Sequence, residues 1–435
     1  MSSATGVRGA VDAFAASVST VAHVDTSAEL LAAAAVDGRT PSVVVRPSDS
    51  DAVRRVLSEA QTRDLAVVPV GAGCHRALGN PPRRYDIALS LQALDAIVDH
   101  EPADMTATVQ PGARLADLQA ALARHGQFLP LDPPGAASAT IGGIIASNAF
   151  GPSRHAFGTV RDWLIGIRVA HSDGTESKSG GRVVKNVTGY DMHKLYVGSL
   201  GTLAVITEAT FKVAPLPHTR HVRALGFADA AVAARVALAA RDHGLALHAL
   251  ELLSPTAAHR VTGDSAWTLL ALVAAGPGAA GRTLRELDEL ARDHGVSVSD
   301  PGEAAWAAWS EAFAPGGIAL RIAAAPSETG ALVERLDRRY AGDGARISAT
   351  IAAGVTRARF DAPPPGRGAA LVAIAREVAA RHHGACIVEA APPDVKGEAG
   401  DVFGPPREDF AIMRRLKDAL DPAGVLAPGR FVGGI

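Results

Sequence analysis

The chain has 435 residues, of which 48% are apolar and 20% charged, and its formal net charge is −2. These figures describe a globular protein with length for two or three domains and exclude a disordered or fibrous one. The near balance of charge leaves no basic field for nucleic acid, and no run of about 18 apolar residues offers a transmembrane segment. The start, MSSATGVRGAVDAFAASVST, carries Asp12 in its only apolar stretch and lacks the basic opening of a signal peptide, so the expected location is the cytoplasm. Cys74 and Cys386 are the only cysteines, too few for a four-thiolate iron–sulfur or zinc site.

Residues 42–70 read as strand, helix, strand. Val43-Val44-Val45 is β-branched, Asp49 or Ser50 can cap a helix carrying Val53, Val56 and Leu57, and Leu65 to Val70 forms the second strand. A glycine-rich loop, 71–79, follows. Short strands are expected around 86–91, 96–98 and 105–110. A helix then places Leu115, Leu118 and Leu122 on one face and ends near Gly126. Trp163 to Ala170 reads as a strand with a hairpin turn at Asp173-Gly174, and residues 203–214 form another strand closed by Pro215 and Pro217.

The domain boundary is expected there: 1–217 (core about 38–217) is one domain and 218–404 an α+β domain. The latter has Ala/Arg-rich helices such as 229–243 and 279–295 and short strands such as 318–323. Residues 405–435, with a helix over 407–420, return to the first domain.

Three glycine-rich segments carry the functional signal. Gly71-Ala72-Gly73-Cys74-His75-Arg76-Ala77-Leu78-Gly79 begins like a dinucleotide fingerprint, but Arg76 stands where the third glycine belongs and Asn80-Pro81-Pro82 blocks the following helix. It remains an anion nest or a plain tight turn. The stretch from Pro133 and Pro134 to Gly151 holds Thr140, the pair Gly142-Gly143, Ser147 and Asn148. Two glycines in a helix cost about 1 kcal/mol each relative to Ala, so approach of the backbone to a flat ring or phosphate is the expected reason, with close helix packing as the alternative. The third segment runs from Gly180 through Lys185, Tyr190, Gly201 and Thr202 to Ile206.

In this order, GAGCHRALG, PPGAASATIGGIIASNAFGPSR, VVKNVTGYDMHKLYVGSLGTLAVITEATFKVAP and LKDALDPAGVLAPGR resemble the FAD-binding domain of the vanillyl-alcohol oxidase / p-cresol methylhydroxylase (PCMH) superfamily. Within it, they are most similar to FAD-binding subunits of the E-subunit type of glycolate oxidase. The resemblance covers about residues 40–217 and 405–432. It implies an α+β fold in which two subdomains clasp FAD beneath an α+β cap.

The resemblance also implies site residues. Gly71, Ala72, Gly73, Cys74, His75 and Gly79 fall at the pyrophosphate loop. Pro134, Thr140, Gly142, Gly143, Ser147, Asn148 and Gly151 fall at the second flavin segment, Gly201, Thr202 and Ile206 at the third, and Arg430 at the C-terminal return. Cys74 stands where some relatives attach a histidyl flavin, with His75 beside it. Relatives that oxidise D-2-hydroxy acids carry an HxGxGNxH metal motif, whereas the comparable stretch here, Arg381 to Glu389, has only the adjacent His382 and His383, read as surface or capping residues; no metal is expected.

The implied reaction is oxidation of a glycolate- or D-lactate-type 2-hydroxy acid, with hydride passing to flavin N5. Arg321 is the expected carboxylate clamp, Arg357 a weaker one, and His155 or Tyr190 the proton acceptor, with Lys185 near the ring. The implied partners are a paralogous FAD subunit and an iron–sulfur subunit. An accessory electron-relay or scaffold subunit, or an oxidase of another alcohol, are the alternatives.

Overall fold

The computed structural model describes residues 2–182 and 189–435; Lys185 lies outside them. Three large sheets organise the described residues. The first is mostly parallel, in the order Ala22–Asp25, Val43–Pro47, Ile87–Ser90, Val67–Val70. Asp49 starts its crossover helix, Ser50–Thr62, by accepting the Ala52 amide at 2.8 Å. Val53, Val56 and Leu57 of that helix are fully buried, with Phe14 of the first helix in the same core.

The second sheet is antiparallel, in the order Ile97–Glu101, Thr106–Val109, Val205–Lys212, Leu164–Ala170, Glu176–Gly180. Trp163 is not in its strand: it ends a one-turn helix, Val160–Trp163, whose Thr159–Asp162 capping box outweighs the β preference of Trp. The cleft between these two sheets is where the glycine-rich segments meet.

Residues 219–390 supply a third, eight-stranded antiparallel sheet. Its order is Ser297–Ser299, Thr219–Phe227, Trp267–Ala275, Leu247–Leu253, Arg346–Thr350, Val355–Phe360, Ile318–Ala323, Ala385–Ala390. Because side chains alternate along a strand, Ile318, Leu320 and Ile322 enter the helix-covered core together with Ala358, Phe360 and Val388. The same alternation puts Arg321, Arg357, Arg359 and Glu389 on the opposite face. That face meets the first half of the chain, where Arg357 Nη2 donates to the Phe150 carbonyl at 2.7 Å.

After the helix Phe410–Leu420, the chain returns to the first sheet. The Val67 amide donates to Val425 O and the Ala427 amide to Val67 O, both at 2.8 Å. Among the described residues, no helix is long and apolar enough to cross a membrane.

Candidate flavin cleft and cap site

The loop after strand Val67–Val70 remains a turn, as its prolines dictate. The amides of Ala72, Gly73, Cys74 and His75 donate to no oxygen among the described residues. A run of free amides in a turn is an anion nest suited to a pyrophosphate. The loop edges a cavity of about 940 Å³, open mouth included. Gly71, Ala72, Gly73, Cys74 and His75 line it from one side, Thr140, Gly142, Gly143 and Ser147 from another, and Gly201 and Ile206 from the turn before strand Val205–Lys212 and from that strand.

Several of the expected flavin residues also serve the fold, and some do not reach the cavity. Gly142 and Gly143 lie inside a helix, Ile141–Ser147, whose N-cap Thr140 accepts the Gly143 amide. A Cβ on Gly142 would come within 2.7 Å of Pro111 Cβ, so close helix packing is what requires this glycine, although both glycines also line the cavity. Ser147 spends its hydroxyl on Gly143 O at 2.6 Å. Asn148 is the left-handed C-cap, and its buried Oδ1 has no partner among the described residues. Gly151 packs on the Asp132 carbonyl, and Thr202 turns its hydroxyl to Ser199 O. Neither Asn148, Gly151, Thr202 nor Gly79 lines the cavity, and Pro134 lines the neighbouring one.

Arg430 does line the cavity, but its guanidinium is occupied. It donates to Asp37 Oδ2 at 2.9 Å, to Arg76 O at 2.7 Å, to Asn80 O at 3.1 Å and to Leu78 O. Lys396 Nζ, with no side-chain exposure, takes the other Asp37 oxygen at 2.7 Å, Ala77 O at 2.5 Å and Gly79 O at 3.1 Å. Two buried cations on one buried carboxylate thus fix the carbonyls of the nest loop and leave its amides free. Gly79 has φ +108°, and a Cβ there would come within 2.8 Å of Arg430 O. Lys417 serves the third segment in the same way, donating to Thr202 O and Leu426 O at 2.8 Å and to Asp421 at 2.5 Å. Buried Asp37, Lys396 and Lys417 carry no sequence signal beyond their ordinary identities.

Beyond His75 and Ser147, which border both spaces, lies a second cavity of about 470 Å³ against the eight-stranded sheet. Phe150, Phe313, Arg357, Arg359 and Glu389 are in its wall. Arg357 and Arg359 are 3% and 5% exposed, yet Arg357 Nη1 and Arg359 Nε and Nη1 have no partner among the described residues. Burial lowers both arginine pKa values, Arg359 to about 10. The guanidiniums of Arg154, Arg357 and Arg321 stand 4.4, 4.9 and 5.1 Å from the Phe150 ring centre.

Arg321, the expected clamp, has its Nε 2.8 Å from Glu389 Oε1, an ion pair by distance although Nε makes no hydrogen bond among the described residues, and it does not line the cavity. The alternation in Val355-Thr356-Arg357-Ala358-Arg359-Phe360 is the sequence signal that puts Arg357 and Arg359 on one face instead. Behind them, burial pushes Glu251 up to about 7 and Asp132 up to about 6; Arg357 and hydroxyl donors from Ser348, Thr350 and Ser153 oppose this.

The two expected proton acceptors lie elsewhere. His155 lines neither cavity and packs near the 247–253 strand, its Nδ1 unpartnered among the described residues and its pKa pushed down to about 4 by burial. Tyr190 is 91% exposed in a surface depression with His171 and Lys178. His382 bonds to Glu328 at 2.9 Å and His383 is an exposed left-handed residue; among the described residues, no three metal-ligating side chains cluster.

Residues 41–180 match the FAD binding domain family, and residues 405–431 match the C-terminal domain of FAD linked oxidases. Glycolate oxidase subunit GlcD of Bacillus subtilis is 35% identical over 41% of this chain and 38% of its own length. Glycolate oxidase subunit GlcE of Escherichia coli is 36% identical over 39% of this chain and 48% of its own. D-lactate dehydrogenase of Archaeoglobus fulgidus is 37% identical over 42% and 41%. The chain therefore spans less than half the length of these curated relatives.

Solved structures extend the likeness across the fold. p-Cresol methylhydroxylase superposes with a TM-score of 0.78 at 15% identity, covering 98% of this chain and 96% of that one. 4-Ethylphenol oxidase from Gulosibacter chungangensis gives 0.75, also at 15%, over 98% and 97%. The fold is the α+β PCMH type and the cofactor is FAD. The free amides of the nest and the glycines that line the cavity beside it fit the pyrophosphate of a dinucleotide.

Proposed function

We propose that this protein is an FAD-dependent oxidoreductase that oxidises a 2-hydroxy acid of the glycolate or D-lactate type in the cavity between the nest loop and the eight-stranded sheet. The observation that carries the proposal is the pair Arg357 and Arg359, buried beside the flavin cleft with N–H groups that no described residue accepts. Each such group costs about 1–3 kcal/mol when unpaired, and a carboxylate ligand removes that cost with charge-assisted bonds. The resemblance of the flavin half to glycolate oxidase subunits and a D-lactate dehydrogenase supports the substrate class.

In this mechanism, Ala72 to His75 would hold the FAD pyrophosphate through their amides, in the cavity that Gly143 and Gly201 also line. When bound, FAD supplies a two-electron acceptor. Arg357 and Arg359 orient the substrate by its carboxylate. Phe150 and Phe313 keep water from the alcohol carbon, which strengthens the arginine contacts. Asp37, Lys396 and Arg430 keep the nest in shape.

Similarity to both glycolate oxidase subunits favours a second element of the proposal: the chain works with a paralogous FAD chain, as an E-type subunit. If electrons leave through iron–sulfur centres, a partner chain carries them, because Cys74 and Cys386 cannot hold a cluster themselves.

The test is anaerobic addition of glycolate, D-lactate and D-2-hydroxyglutarate to the purified FAD-loaded chain. Bleaching of the flavin bands by one of them supports the activity. Bands that stay oxidised with all three, and bleach only after a paralogous FAD chain is added, assign oxidation to the partner and leave this chain an accessory subunit.

A further inference from the structure

Oxidation of an alcohol to a carbonyl releases a hydroxyl proton, and the groups that border the two cavities differ in their ability to receive it. Arg357, Arg359 and Arg430 stay protonated. Burial raises the Cys74 thiol. Glu389 is held 2.8 Å from Arg321. His75 borders both the flavin cleft and the cap cavity, and its ring makes no hydrogen bond to any described residue. We propose that His75 is the catalytic base: a ring nitrogen takes the hydroxyl proton of the 2-hydroxy acid that Arg357 and Arg359 hold, a step that rests on the function proposed above.

The placement makes the step balance. The O–H bond breaks toward the imidazole, and its electron pair forms the second bond of the carbonyl. The hydrogen on the carbinol carbon leaves with its electron pair to FAD, the oxidant of the proposed reaction, and a 2-oxo acid results. The imidazolium then returns its proton to water. Burial holds His75 below the ordinary histidine value, so the ring is neutral and ready at pH 7; Glu389 raises it and Arg321 lowers it by smaller amounts. The turn that offers amides to the cofactor therefore also carries the base, which explains how one loop serves both cavities. It also accounts for the reaction without His155 or Tyr190, neither of which borders the substrate space.

The experiment uses the FAD-loaded full chain and the variants His75→Gln and His75→Asn. Oxalate, which cannot be oxidised, reports binding through the flavin spectrum, and anaerobic reduction by D-lactate or glycolate reports chemistry. The expected result is oxalate affinity within about threefold of the parent and reduction slowed by at least about 100-fold, with partial recovery on adding free imidazole. A second readout needs no variant: carbethoxylation of His75 by diethyl pyrocarbonate, followed by peptide mass spectrometry, is expected to be suppressed by saturating oxalate and to show a pH midpoint below 6.5.

A variant that binds oxalate and reduces at the parental rate overturns the role of His75 alone. So does labelling that oxalate leaves untouched. A parent chain that binds oxalate but is bleached by no 2-hydroxy acid overturns the proposed function, and the base with it. Should both variants lose FAD, labelling of the parent chain decides.

Discussion

Asp37 and Lys396 lie 359 positions apart in sequence and 2.7 Å apart in the fold, joined beneath the loop that offers its amides to the cofactor. Arg430 takes the second oxygen of the same carboxylate at 2.9 Å. Buried ions of this kind contribute little net stability against an apolar replacement, but removing one partner is costly because it strands the others. Here the stranded groups include the carbonyls of Ala77 and Gly79, which set the loop's conformation.

Lys396→Met is therefore expected to destabilise the fold by about 3 kcal/mol. It should also weaken FAD retention by about tenfold or more through loss of the preformed nest. Thermal unfolding and ultrafiltration of bound FAD check the two effects. An unchanged FAD affinity would show that the nest holds its shape without the lysine.

The Cys74 thiol borders the flavin cleft, and burial raises its pKa, so it stays protonated at neutral pH and is a poor nucleophile. Acid precipitation is expected to release the FAD into the supernatant, from the parent and from Cys74→Ser alike. Yellow colour that stays with the precipitated parent and is lost in the variant would show a covalent link instead.

Glu251 is fully buried, with its pKa pushed up to about 7 by burial. The folded state therefore binds a proton that the unfolded chain has released above its own carboxylate range. Stability from this group is complete below about pH 4.5 and is lost as pH rises through 7, amounting to about 3 kcal/mol at full ionisation. Glu251→Gln is expected to flatten the decline in unfolding midpoint between pH 5 and 8. An unchanged decline would assign it to Asp132, which shifts in the same direction.

His155→Gln and Tyr190→Phe are expected to keep flavin reduction within about threefold of the parent, since neither side chain borders the substrate space. A loss of 100-fold in either would mean that Tyr190 or the 154–157 helix reaches the substrate in the working state.

Much of the flavin half was legible because its signals are local. Asp49 capping, the β-branched run at 43–45 and the prolines after Gly79 each act over a few residues, and the structure shows each at its place. Gly142 was harder: the same glycine answers to ring approach or to helix packing, and only the position of Pro111 tells them apart. The cap side is the least legible. Arg321 and Arg357 are directly paired across neighbouring strands, so which of them is neutralised depends on Glu389 from a third strand, and no local pattern encodes that. Lys396 and Asp37 meet only through the closure of the whole chain.

The most direct test of the account is the dependence of anaerobic flavin reduction on 2-hydroxy acid concentration, measured by stopped flow in the parent, Arg357→Met and Arg359→Met. If the two arginines hold the substrate carboxylate beside the flavin, the parent saturates. Each variant keeps its FAD but needs about 30-fold or more substrate for half-maximal reduction, the loss of roughly 2 kcal/mol expected for one charge-assisted contact. Half-saturation unchanged in both variants, with FAD still bound and still reduced, would place the substrate elsewhere and contradict the account.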